Sequence, residues 1–166
     1  MKFMIHGGIL SRTLQSISGV VPSGKTLPIL LNYCVKLNGS QLVITSSDLE
    51  TTISVKLDLE TVDANGIKEI AIPAKIFSEI VSSLSSQQLI IDIKEDYSIE
   101  IKADAGVYNL VGESAESYPA EITLENAEKS VFSSSVMSKA ISKTIFATDT
   151  TGLRPQMSGV IFEKSE

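Results

Sequence analysis

The stretch FMIHGGILSRTLQSI, Phe3–Ile17, decides how this chain is read. Phe3 and Ile5 alternate as in a short strand. Ile9, Leu10, Leu14 and Ile17 then recur at helical spacing, and Val21 extends the same apolar face. Pro22, Ser23 and Gly24 end that helix. The rhythm returns 67 residues later in IAIPAKIFSEIVSSL, Ile70–Leu84. Phe3 falls on Ile70, Ile5 on Ile72, Ile9 on Ile76, Leu10 on Phe77, Leu14 on Val81 and Ile17 on Leu84. Pro73 suits a first helical position, where its missing N–H costs nothing. Six apolar positions in phase through a strand and a helix point to an internal duplication.

Working outward, both copies continue in the same way. After the first helix, Ile29–Leu37 reads as a strand and Asn38-Gly39 as a hairpin turn. Leu42 and Ile44, then Ile53, Val55, Leu57 and Leu59, alternate in two further strands joined by the polar Ser47-Asp48-Leu49-Glu50. After the second helix come Leu89–Ile93, Ile99–Ile101 and Val107–Val111, with turns at Glu95-Asp96 and Ala105-Gly106. Each copy is thus a βαβββ module, over about 1–66 and 67–125. The fold class is α+β, with helices on one face of antiparallel sheets. Beyond the polar linker Glu113–Asn126, a third start follows. Val131 and Phe132 precede a helix carrying Val136, Met137, Ala140, Ile141 and Ile145, and Val160–Phe162 reads as a strand. The expected organisation is one domain over 1–125 and a partial second domain over 126–166. A lone helix and strand cannot bury both faces of a sheet, so a fragment of a longer repeat protein is expected, the alternative being a short protein with a C-terminal appendage.

Composition excludes several classes. No run approaches the roughly 18 apolar residues of a membrane helix, so no membrane partner is expected. The start MKFMIHGG is too short for a secretory signal. The single cysteine, Cys34, cannot form an internal disulfide, which points to the cytoplasm. Its place inside an apolar run makes it core filler. The single histidine, His6, lies at a strand-to-helix junction where a capping or surface role is ordinary. There is no G-x-S-x-G elbow, P-loop or G-x-G-x-x-G. Asp48 and Glu50 read as solvated carboxylates in a connection. No catalytic residue, metal or cofactor is expected.

The start Met1-Lys2-Phe3, the segment Thr26-Leu27-Pro28-Ile29-Leu30, the Ser47–Glu50 turn and the helix entry Ile72-Pro73-Ala74-Lys75 resemble the bacterial DNA polymerase III beta subunit, the sliding clamp. So do Ser117-Tyr118-Pro119, Leu153-Arg154-Pro155 and Gly159-Val160-Ile161-Phe162, in the family's order along the whole chain. The resemblance implies the DNA clamp fold and a non-enzymatic processivity factor. In that family, three domains per subunit close head to tail with a second subunit into a homodimer ring around duplex DNA. The family's helices line the hole, so Arg12, Lys139 and Lys143 are expected to face DNA, with Lys25 as a nearby loop candidate. Gly24 stands where some members carry arginine. The resemblance places Ile76, Ile80, Leu84 and Tyr108 at the subunit contact, whereas Phe77 and Val81 read as core. Arg154 and Met157 match the edge of the groove that takes peptides from DNA polymerase and the clamp loader; the rest of that groove would lie beyond residue 166. The competing reading is an interaction or scaffold domain of repeated βαβββ modules with no nucleic-acid role.

Net charge separates the two readings only when it is sorted by element. The chain carries −6 overall. Its three helical segments hold Arg12, Lys75, Lys139 and Lys143 against Glu79, a surplus of +3, which leaves −9 to strands, loops and linker. An acidic chain is therefore compatible with DNA passing its helices.

Overall fold

In the computed structural model, residues 1–24, 27–63, 65–120, 130–150 and 154–163 are described. They fall into two compact units, Met1–Ile122 and Thr123–Glu166. The first unit holds β1 (Lys2–His6), α1 (Gly7–Ile17), β2 (Asn32–Asn38), β3 (Gln41–Ser47), β4 (Thr52–Asp58) and β5 (Thr61–Asp63). It continues with β6 (Glu69–Pro73), α2 (Ala74–Ser83), β7 (Gln88–Ile93), β8 (Ser98–Ala103) and β9 (Gly106–Val111). The second unit contributes α3 (Ser134–Thr144). No helix among the described residues is long and apolar enough to cross a membrane.

The two βαβββ modules are present, and they are interlocked. One sheet has the order β5-β1-β7-β8-β9 and the other β4-β3-β2-β6, with every pairing antiparallel. The first strand of each module has thus crossed into the sheet of the other. Phe3 lies between Val62 and Ile91, and Val35 between Ile44 and Ile70. The five-stranded sheet alternates buried inward and more exposed outward positions, as one-sided burial requires. In the other sheet, β2 and β3 are buried on both faces over most of their length. The inward rows, among them Tyr33, Ile44, Ile70, Ile72, Leu89, Ile91 and Ile101, join Leu10, Leu14, Ile17, Phe77 and Val81 of the helices in one core. Each such side chain contributes roughly 1.5–3 kcal/mol by leaving water.

The corner between the modules is tight. The Gly7 N–H donates to the Gln87 carbonyl at 2.9 Å, and a Cβ on Gly7 would collide with the Leu84 carbonyl oxygen. Glycine is required there because the β1–α1 corner of one module sits against the end of α2 of the other.

Several boundaries differ from the sequence reading. The strand expected over Ile29–Leu37 begins only at Asn32, because Pro28–Leu31 forms a single 3₁₀ turn opened by Pro28. Pro73 caps α2 instead of entering it. Gly39 takes the positive φ, 62°, that a two-residue hairpin needs, with Asn38 still in the strand opposite Gln41. Ile9 and its equivalent Ile76 are 46% and 50% exposed, so they flank the helical face and do not fill the core. The short β5 was not expected, and it covers one edge of β1. Val160–Phe162 forms no strand, and Ile161 and Phe162 are exposed. A strand persists only when its backbone groups find a neighbour.

The segment after β9 is more ordered than a polar linker. Glu113 exchanges backbone hydrogen bonds with Ala71 of β6 at 2.9 and 3.0 Å. Tyr118 then folds onto the outer face of the four-stranded sheet with Leu30, Cys34 and Ala115. Its hydroxyl lies 3.4 Å from the carbonyls of Asn32 and Thr45, on neighbouring strands, and can donate to either. Cys34 is buried there, with its Sγ 3.3 Å from Glu69 Oε1.

Two outcomes are expected. Gly7→Ala should destabilise the first unit by about 2 kcal/mol through overpacking against backbone, read as a lower midpoint in urea unfolding. Burial pushes the Tyr118 hydroxyl up to about 12, against about 10 in an unfolded chain. The folded state therefore holds this proton more tightly, so the contribution is complete below pH 10 and is lost as pH rises toward 12. Tyr118→Phe should flatten the alkaline decline in stability measured over that window, at a cost of about 1 kcal/mol at neutral pH.

Candidate nucleic-acid interface

Helices α1 and α2 pack side by side. His6 caps α1: its Nδ1 accepts from the Gly8 N–H at 3.1 Å, one of the two roles, capping or surface, that the junction suggested. Tyr33 rises from β2 beneath both helices. Its hydroxyl is 3.2 Å from Ser78 Oγ on α2 and 3.5 Å from the Leu14 carbonyl on α1. Burial raises the pKa of this hydroxyl, which stays protonated and bridges the pair.

Between the helices runs an open groove of about 520 Å³, lined by Ser11, Leu14, Gln15 and Ser18 on one side and Ser78, Glu79, Ser82 and Ser83 on the other. Hydroxyls dominate this surface, and the acid Glu79 stands on it. Arg12 is exposed on α1, and its Nε donates to the Gly8 carbonyl one turn back at 3.1 Å. Among the described residues the ion pairs are Lys36–Glu69 and Lys102–Glu100, and neither involves Arg12 or Lys75. A helix pair of this kind offers phosphates a few cations and many neutral donors, with no side chains arranged to read base edges.

The remaining site residues separate by location. Lys139 and Lys143 lie exposed one turn apart on α3 of the second unit, with Lys143 in the last turn, where the helix dipole favours a cation. Lys25 lies outside the described residues. Of the four residues expected at a subunit contact, Ile76 is exposed, and Ile80 and Tyr108 are half-buried against the core. Leu84 departs from that expectation: it is 2% exposed and belongs to the core, because its place equivalent to Ile17 turns it toward the sheets. Arg154 and Met157 come together in the second unit, both exposed, with Nη1 3.9 Å from Sδ. Asp48 is structural: its Oδ1 accepts from the N–H groups of Glu50 and Thr51 at 3.0 and 2.6 Å. The serine lining of the groove was not found from sequence, since serines carry no periodic signal.

Two βαβββ modules with exchanged first strands, and both helices on one side of antiparallel sheets, make up the DNA clamp fold. Residues 1–125 match the family model of the DNA polymerase III beta subunit, N-terminal domain, and the chain belongs to that family. It is 33% identical over 167 residues to the beta sliding clamp of Pseudomonas aeruginosa, covering 98% of this chain and 44% of that protein. To the beta sliding clamp of Halalkalibacterium halodurans it is 29% identical over 168 residues, with the same shares covered. Among solved structures, the sliding clamp from Bacillus subtilis superposes with a TM-score of 0.81 at 25% identity, covering 93% of this chain and 42% of the other. The DNA polymerase III subunit beta from Pseudomonas aeruginosa gives 0.77 at 29%, covering 93% and 41%. The chain spans less than half the length of these relatives.

Tyr33→Phe should loosen α1 against α2 without unfolding the sheets. A loss of about 1 kcal/mol and faster amide exchange at the C-terminal turn of α1 are the expected readouts.

Proposed function

We propose that this chain supplies the first domain, over 1–125, and the opening part of the second, over 126–166, of a ring that encircles duplex DNA and tethers a replicative polymerase to it. The single observation that carries this reading is the clamp fold itself, matched through the whole first domain. In this role the protein performs no bond-making step. Arg12 on α1, and Lys139 and Lys143 on α3, attract phosphates without reading sequence, and Lys25 joins them. Such attraction is non-directional and salt-sensitive, so the ring holds DNA while remaining free to move along it. Ile76, Ile80 and Tyr108 form the contact with the partner subunit. Arg154 and Met157 form the edge of the groove that receives short hydrophobic peptides from DNA polymerase and the clamp loader. Family membership favours this reading over a scaffold domain without a nucleic-acid role.

Fluorescence anisotropy with short duplexes at low salt tests the proposal. The chain is expected to bind duplexes of unrelated sequence with equal, weak affinity. The affinity should fall as salt rises, with a slope on logarithmic axes of about −0.9 per phosphate neutralised. Changing Arg12, Lys139 and Lys143 together to alanine should remove about 2–3 from the magnitude of that slope. Binding that ignores salt and survives the triple change would overturn the assignment.

A further inference from the structure

Acidic side chains are absent from α1 and α3, and α2 holds one, Glu79. Its neighbour on the same helix face is Lys75, four residues earlier. Neither charge is placed to serve the helix. Lys75 stands in the first turn, where the dipole disfavours a cation, and a lysine preceding a glutamate is the weaker order for such a pair. Glu79 is exposed, and no hydrogen bond or ion pair among the described residues engages its carboxylate.

Glu79 lines the groove between α1 and α2, among serine hydroxyls. The two helices run antiparallel. Gly7 at the start of α1 abuts Leu84, just past the end of α2, and Tyr33 bridges Leu14 to Ser78. At that register Arg12 and Glu79 stand at the same level of the pair, with Lys75 one turn further along. The two helices thus carry Arg12 and Lys75 against one acid, a surplus of a single positive charge. Exchanging Glu79 for a neutral group would double that surplus.

We propose that Glu79 restrains the hold of the first domain on duplex DNA by competing with phosphates for Lys75. The inference rests on the clamp reading and names the residue that limits the strength of the hold. The carboxylate travels with the lysine, so a phosphate must displace it to gain the ammonium. The serine hydroxyls stay available to phosphate oxygens, but neutral donors release no counterions. The helix pair therefore meets the backbone through many weak contacts and neutralises few phosphates. Such a hold suits a ring that must keep moving along the duplex.

Fluorescence anisotropy on the full chain with a short duplex tests this, at salt from about 10 to about 150 mM, over which the Debye length falls from about 30 to about 8 Å. Glu79→Gln keeps the size and the helix preference of the side chain. It should neutralise one further phosphate and steepen the logarithmic salt slope by about 0.9, which makes binding about tenfold tighter at the low-salt end. The variant and the parent chain should converge at the high-salt end. Adding Lys75→Gln should abolish the gain. Glu116→Gln makes the same change in net charge on the outer face of the four-stranded sheet, beside Cys34 and Tyr118, and should leave affinity and slope unchanged. The urea midpoint of Glu79→Gln should match that of the parent chain, since the carboxylate is exposed. A Glu79→Gln chain that binds no more tightly than Glu116→Gln overturns the proposal, as does a gain that survives Lys75→Gln. In both cases salt-dependent duplex binding by the parent chain leaves the clamp reading standing. Absence of duplex binding in every chain, the parent included, overturns the clamp reading and this inference with it.

Discussion

The reciprocal exchange of first strands is the constraint on which the first unit depends. The β1 strand hydrogen-bonds to β7, and β6 hydrogen-bonds to β2, so each sheet is completed by a strand that belongs to the other module. Neither module can bury its own apolar face without the other. One core results, into which both sheets and both helices project. The exchange also explains why the β1–α1 corner needs Gly7: strand and helix leave one module at the point where α2 of the other ends. Glu113 and β5 then repeat one device, each placing a short return segment against the exposed side of an exchanged strand.

From this arrangement follows a division of chemical labour. Both helices of the first unit share one side, and Tyr33 ties them together from below. What they present is a hydroxyl-lined groove with Arg12 and Lys75 set against Glu79. This is a weakly basic surface. The acidic surplus of the chain lies in strands, loops and linker. A net charge of −6 therefore says little about what the helix face binds.

Much of this was legible because a duplication doubles every signal. The shift of 67 residues maps β1 onto β6 and α1 onto the length of α2, and the buried pairs Leu10–Phe77, Leu14–Val81 and Ile17–Leu84 follow it. The same periodicity misplaced Ile9 and Ile76, since a helical stripe has flanks whose burial depends on what packs beside them. It also could not start β2 at Asn32: the apolar run from Ile29 is continuous, and only the turn set by Pro28 divides it. Leu84 was expected at a surface and lies in the core, because its facing is set by the sheets, which no local pattern reveals. Val160–Phe162 has the composition of a strand but pairs with no strand among the described residues, and composition does not supply a partner.

The sequence by itself determined the modules, the hairpin at Gly39, the core periodicity of both helices and the separation of charge between helices and the remainder. These are local properties, written in spacing and residue type over one or two turns. Tertiary structure decided which strand completes which sheet, which helix flanks stay wet and how Tyr118 spans two strands. Those outcomes depend on contacts between residues far apart in the chain, such as Asn32 with Tyr118 across 86 positions, and such contacts leave no mark in local sequence.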